Sequence, residues 1–344
     1  MSLIWKNRIT VSYFGEAHDP VIGVNIDGLP EGEHISAEEI VKFLSRTAPK
    51  SISAIDKKIL PSPRIMSGIR NNRTTGAPLC AVIQNSTVDT SYNSDTMQNV
   101  NIQRGLADYT GALRYRGYSD VRNSAFNSDI FTIPLCFAGA VCGQILERRG
   151  IYTGAHIAFL HNIKDNPFDP VNISRDAIIS VRSKDFPVIS DRKGWLMVED
   201  MAKANEVGER LGGIVECASV NVPAGVGSPI FDGLENNIAQ LIFGIPTASG
   251  LEFGAGFSAA KMLGSQYNDA FYTNDRGYSV TKTNCHGGVI NGISSGMPVT
   301  LKAAFRPPSD DLSAPCFVPK AVPCVESAVN IALLSKMIDY PNFC

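Results

Sequence analysis

The 344-residue sequence has little that would tie it to a membrane, a metal or a nucleic acid. It contains no uninterrupted run of about 18 apolar residues, so no transmembrane helix is expected. Residues Met1 to Thr10 carry Lys6 and Arg8 without an apolar signal-peptide core, and no targeting segment is expected. A basic excess is also missing. Thirty-one Lys+Arg stand against 33 Asp+Glu, a net charge of −2, which argues against a bulk electrostatic grip on nucleic acid or an anionic membrane. The eight cysteines are scattered and form no CxxC pair, so zinc ligation has no spacing to support it. They read as reduced thiols of a cytoplasmic protein. No Ser/Gly/Pro-rich linker or low-complexity tract divides the chain, which favours one continuous domain. No GxGxxG follows a strand-like run, and that disfavours a dinucleotide-binding fold.

What the sequence does contain is an ordinary globular composition, 44% apolar and 19% charged. Ser36 followed by Glu39 forms a capping box, and Ile40, Phe43 and Leu44 then recur at helical spacing. A second helix is predicted over Thr132 to Arg149, stopped by Gly150. It is apolar on nearly every face, as a helix buried on all sides would be. Further helices are predicted over Met197–Leu211, Phe231–Phe243 and Pro323–Ile338. Strand-like runs are Val21–Ile26, Leu79–Gln84, Ile151–Leu160, Ile214–Val222, Gly256–Leu263 and Val299–Phe305. The order is not a steady βαβ alternation, so an α+β layered fold is expected. The segments GVNIDGLPEG and ASVNVPAGVG echo each other and hint at two similar halves.

Four loop-like segments collect glycine, polar and ionisable residues. In Phe14 to Pro20, His18 is either a general acid or a turn histidine satisfied by backbone. Arg104, Arg114, Arg116 and Arg122, with Ser128, form either an anion clamp or a solvated face. Thr281 to Gly288 and Gly292 to Gly296 would let backbone approach a flat or phosphorylated ligand. Within them, adjacent Cys285 and His286 are poorly placed for a nucleophilic dyad. Arg306 to Asp311 leads through a proline-rich stretch to the last helix.

Taken in order, these segments resemble the chorismate synthase family over nearly the whole chain. FGEAHDPVIGVNIDGLPEG is similar to the family's FGESHG…IGVVIDG-P-G opening, RTTGAPL to KTTGTPL, and LADYT to HADYT. The block VNVPAGVGSPIFDGLENNIAQLIFGIPTASGLEFGAGF, then TNCHGGVINGISSGMPV and VPKAVPCVESAV, continue the match. The resemblance implies a β-α-β sandwich of two similar halves, about 1–160 and 200–344, with buried helices between sheets and assembly as a homotetramer. It implies a phosphate lyase of the shikimate pathway, in aromatic amino acid biosynthesis. The reaction is the anti-1,4-elimination of phosphate from 5-enolpyruvylshikimate-3-phosphate to give chorismate, and it uses reduced FMN without net redox change. The partner is thus a phosphorylated small molecule, with neither nucleic acid nor membrane.

Residue by residue, the resemblance makes His18 the catalytic proton donor near the flavin, with Ala17 and Asp19 replacing serine and glycine beside it. Leu106 stands where the family has a second histidine and can neither transfer a proton nor donate a hydrogen bond. The substrate-binding positions are Arg46, Lys57, Arg122, Ser128 and Lys320; Thr47 and Ile130 replace family arginines. The cofactor positions are Asn127, Ser128, Asn284, Arg306 and Ser309, and Asp310 and Asp311 follow where a flavin phosphate would approach. Leu312 to Cys316, including Ala314, replaces the family's RHDPC. Two readings follow: an active synthase with an atypical site, or a fold-retaining paralogue with impaired or lost activity that binds a ligand or acts as an assembly partner.

Overall fold

The computed structural model describes residues 3–49, 63–85, 108–116, 118, 129–275, 277–308 and 316–340. In chain order the first part contains β1 (Ile4–Lys6), β2 (Thr10–Phe14), β3 (Val21–Asp27), α1 (Ala37–Ser45), β4 (Pro63–Ser67), a hairpin of β5 (Ile69–Arg70) and β6 (Arg73–Thr74), β7 (Leu79–Gln84), α2 (Asp108–Arg114) and α3 (Thr132–Arg148). The second part contains β8 (Tyr152–Leu160), β9 (Ile163–Lys164), α4 (Arg175–Ser183), α5 (Asp191–Glu206), β10 (Gly213–Val220), α6 (Leu234–Ile242), β11 (Ala248–Phe253) and α7 (Gly264–Tyr267). It continues with the hairpins β12 (Phe271–Thr273)–β13 (Ser279–Thr281) and β14 (Val289–Ile290)–β15 (Ile293–Ser294), then β16 (Val299–Phe305) and α8 (Val318–Met337).

Two five-stranded antiparallel sheets carry these elements, ordered β1-β2-β3-β7-β4 and β9-β8-β10-β16-β11. The orders correspond strand for strand. Each central strand, β3 or β10, leads to a short helix, an edge strand, a two-residue hairpin, an inner strand and a long buried helix. β8 pairs with β10 and so belongs to the second sheet. Among the described residues, α4 and α5 have no counterpart in the first unit.

The long helices form the middle layer. α3 rests on β3 of the first sheet, α8 on β8 and β10 of the second, and the two helices run along each other. Gly139 faces Ser327, Gly143 faces Asn330, and the Cys136 and Cys324 sulfurs are 3.7 Å apart. Position advances along both helices together, so they are parallel and their N-termini lie at the same end of the sandwich. All of α8 and nearly all of α3 are buried. The stretch Asp129–Arg148 is by length and composition able to cross a membrane, but most of it is buried in this core.

Most predicted elements are present with shifted ends. Ser36 caps α1 by accepting from the Glu39 N–H at 3.2 Å. The helix predicted over 197–211 is α5, which starts six residues earlier and ends before Gly208 (φ +75°). The helix predicted from Phe231 starts at Leu234, after a 3-10 turn over Ile230–Asp232. α8 starts at Val318 instead of Pro323. Pro319 takes the first turn and Pro323 is tolerated inside, where its carbonyl also accepts from Ser327 Oγ at 2.7 Å. The predicted strand Gly256–Leu263 is overturned: Gly256–Lys261 is a 3-10 helix and the strand precedes it as β11. Left-handed Gly254 (φ +53°) and Gly256 (φ +52°) turn the chain out of the sheet there. The helix α4 was not foreseen from sequence.

The close approach of α3 and α8 depends on a missing side chain. A Cβ at Gly139 would lie 2.1 Å from the Ser327 Cβ. Gly139→Ala gains about 1 kcal/mol of helix propensity but must push α8 aside, at a cost of about 1–3 kcal/mol. The variant is expected to melt at a lower temperature than the parent, and an equal or higher midpoint in a thermal scan would contradict this packing.

Candidate functional site

The parallel helices bring several predicted positions to one end of the sandwich. Lys320, in the first turn of α8, is buried, and its Nζ lies 3.2 Å from Asp129 Oδ2 just ahead of α3. Thr132 Oγ donates to the Asp129 carbonyl at 2.5 Å and ties that turn to the start of α3. Two helix N-termini, each with partial positive charge, therefore flank this pair. Asp129 stands in the same altered stretch as Ile130. Where a family arginine is absent, the chain has added a carboxylate that answers Lys320.

The His18 turn joins β2 to β3 near this end. Tyr13, on β2, lies within electrostatic reach of the Cys136 and Cys324 sulfurs, and burial together with those sulfurs pushes its phenol pKa up. Cys324 in turn donates to the Lys320 carbonyl at 3.2 Å. The turn itself is built tightly. Asp19 Oδ2 accepts from the Glu16 N–H at 2.8 Å, and Asn85 Nδ2 donates to the Ala17 and Asp19 carbonyls at 2.8 and 3.0 Å. Gly15 is left-handed (φ +88°), and a Cβ there would lie 2.4 Å from the Val21 carbonyl oxygen. Asp19, which replaces a family glycine, is thus a turn-forming residue, and His18 is held half-buried on a rigid loop.

Arg46 is the C-cap of α1, and its fork is engaged. Nη1 and Nη2 donate to Glu326 at 2.5 and 2.7 Å, and Glu326 also accepts from the Ala155 N–H on β8 at 2.9 Å. Burial opposes the guanidinium charge, but the contact with Glu326 outweighs it and raises the Arg46 pKa above the usual arginine value. The predicted substrate arginine is therefore a bolt between α1, α8 and the second sheet. Glu326 lies six residues after Lys320, about 9 Å along α8.

The cofactor positions divide. Asn284 is committed to the fold: its Nδ2 donates to the Pro170 and Pro298 carbonyls at 2.9 and 2.8 Å, and its Oδ1 accepts from the Gly288 N–H at 2.7 Å. Arg306 is exposed at the end of β16, and its N–H donates to the Thr247 carbonyl at 3.0 Å. Thr247 is buried with a left-handed φ of +64°, and its hydroxyl has no hydrogen-bond partner. The two residues meet through their backbones, and the Arg306 guanidinium makes a 3.4 Å contact to the Pro307 carbonyl. Sequence reasoning missed Thr247, because a lone threonine after a proline carries no pattern. Lys57, Leu106, Arg122, Asn127, Ser128, Ser309 and Ala314 lie outside the described residues.

A second polar cluster surrounds Asp269. Its carboxylate accepts from Thr283 Oγ at 2.6 Å, from the N–H groups of Cys285 and His286 at 2.9 and 3.0 Å, and from His286 Nδ1 at 2.8 Å. The histidine is paired with this acid, and burial and Asp269 push the Cys285 thiol pKa up, so the nucleophile reading of Cys285–His286 gains nothing. No sequence pattern marked Asp269, which reaches the loop from the far side of the β12–β13 hairpin.

These features define a class: a layered α+β protein whose two parallel buried helices begin at one end of the sandwich, where Lys320 pairs with Asp129. The comparisons then give the family. The chorismate synthase family profile matches residues 9–314. A chorismate synthase of Thermococcus kodakarensis is 34% identical over 352 residues, 96% of each chain. One from Dehalococcoides mccartyi is 36% identical over 345 residues, covering 94% of this chain and 93% of its own. A crystal structure of chorismate synthase superposes with a TM-score of 0.79 at 25% identity, over 96% of this chain and 92% of that one. The chain belongs to the chorismate synthase family.

Two tests follow. Arg46→Ala strands the buried Glu326 carboxylate and should destabilise the ligand-free protein by about 3–5 kcal/mol. Arg46→Met combined with Glu326→Leu should recover most of that loss in denaturant melts; a neutral single variant would contradict the bolt. The second test concerns pH. Burial alone would raise the Asp269 carboxyl, but the donors from Thr283, His286 and Cys285 overcome it and hold the pKa at about 2. An unfolded aspartate titrates near 4, so this contribution is full above about pH 4 and is lost as pH falls toward 2. Amide exchange at Cys285 and His286 should accelerate across that window, and unchanged protection would refute it.

Proposed function

We propose that the protein catalyses the anti-1,4-elimination of phosphate from 5-enolpyruvylshikimate-3-phosphate to chorismate, with reduced FMN, in the cytoplasm and as a homotetramer. The observation that supports this reading is Lys320 beside Asp129 at the N-termini of α3 and α8, a position the family resemblance assigns to substrate. The chain reads as a single domain of two similar units, supported by the matching strand orders.

In this reading His18 moves a proton at its imidazole, while Lys320 and the two helix ends receive anionic groups of the substrate. Arg306, exposed at the end of β16, would hold the flavin phosphate. Bound reduced FMN supplies electron density while the C–O bond to phosphate breaks. Leu106 leaves the second histidine position without a proton carrier, so proton transfer rests on fewer groups than in the family pattern. Asp129 competes with the substrate for Lys320, so entry of an anion must displace a carboxylate.

Anaerobic incubation with substrate and reduced FMN should yield chorismate, and FMN absorbance should shift when substrate is present. Absence of both would overturn the proposal and favour the fold-retaining paralogue. Asp129→Asn removes the competing charge and should tighten substrate binding by about tenfold, the scale of one charged hydrogen bond. Equal or weaker binding in a titration would show that Asp129 does not face the substrate.

A further inference from the structure

We infer that the cavity on the outer face of the second sheet is a binding site for a zwitterion, an α-amino acid with a compact apolar side chain, held between Glu216 and Lys302. The cavity encloses about 400 Å³ and is lined by these two residues with Phe168, Pro170, Val171 and Ala255.

A row of charge crosses that face. Val215, Cys217, Leu301 and Ala303 belong to the main core, so Glu216 on β10 and Lys302 on β16, which alternate with them, face the other way. Strand register makes His156 (β8), Glu216 (β10), Lys302 (β16) and Glu252 (β11) direct cross-strand neighbours. The sign of charge alternates along the row, and Asp165 extends it on the far side of His156, at 3.2 Å. His156 is fully buried. Burial opposes its charge, but Asp165 and Glu216 outweigh that and raise its pKa, so this half of the row is paired from within.

The row is open between Glu216 and Lys302. Glu216 is only 7% exposed, and its Oε2 accepts from His156 Nε2 at 2.8 Å and from the Phe168 N–H at 2.9 Å. Among the described residues no group donates to its Oε1, and that oxygen is not sealed in the interior. Lys302 does not close the gap. Its Nζ turns instead toward Glu252 Oε1 at 3.9 Å, beyond hydrogen-bond reach. A carboxylate oxygen and an ammonium, each short of a partner, therefore border one apolar cavity. A ligand ammonium completes Glu216 and a ligand carboxylate completes Lys302, without adding net charge to the row. Phe168, Pro170, Val171 and Ala255 then receive an apolar side chain. Asn284 also borders the cavity, but its amide is committed to backbone groups. Helix α8, which carries Lys320, packs on the opposite face of this sheet, so the site stands apart from the proposed elimination chemistry.

Calorimetric titration of the full chain with L-leucine and L-phenylalanine tests the inference, alongside their decarboxylated forms (isoamylamine and phenethylamine) and deaminated forms (isocaproate and hydrocinnamate). At least one amino acid should bind, and more tightly than its own amine or acid by about tenfold. Glu216→Gln should remove the preference over the acid, and Lys302→Gln the preference over the amine. A merely structural role for either residue would move neither preference. Binding of neither amino acid overturns the proposal, as does an unchanged preference in either variant. So does displacement of the amino acid by FMN, which would make the cavity part of the cofactor site. If Glu216→Gln fails to fold by circular dichroism, half-exposed Lys302 decides: Lys302→Gln either loses the preference over the amine or refutes the site.

Discussion

The contact between α3 and α8 is the constraint on which the rest of the structure depends. Two long helices can approach this closely only where one presents no side chain, and Gly139 and Gly143 provide that line against Ser327 and Asn330. Parallel packing of apolar helices buries surface on every side, so each needs a sheet on its outer face. The matching sheets supply it. The same geometry places two helix N-termini side by side. Their unpaired N–H groups and partial positive charge make that end of the sandwich receptive to anions, before any basic side chain is considered.

The charges near that end are largely answered from within. Arg46 is engaged by Glu326 and Lys320 by Asp129, whereas the resemblance leads one to expect a cluster of cations open to substrate. The Arg46–Glu326 pair is deep and joins three elements, so its removal strands a charge in the core. The Lys320–Asp129 pair sits at the N-terminal ends of the two helices.

Much of the fold was legible in the linear order of residues. The Ser36 capping box, the all-round apolarity of residues 132–149 and the strands 79–84 and 299–305 each follow from local propensity and periodicity, which short-range sterics and burial enforce. The misreadings have equally local causes. Residues 256–263 alternate like a strand, yet two left-handed glycines turn them away from the sheet. Pro323 resembles a helix start, yet it lies inside α8 because the first turn had already formed at Pro319.

The site was legible only as a set of positions. Residue type and spacing were enough to identify the family, a histidine on a glycine-bearing turn, and the departures at Thr47, Leu106 and Ile130. They could not reveal partners, because Arg46 and Glu326 are 280 residues apart, Lys320 and Asp129 are 191, and no periodicity reaches across such distances. The tertiary structure pairs Arg46 with Glu326, commits Asn284 to backbone support and Asp19 to the turn, and leaves Thr247 and Arg210 with unsatisfied groups. The reason is physical. A side chain's charge is set by its identity, whereas what that charge does is set by the neighbours that folding brings within about 3 Å.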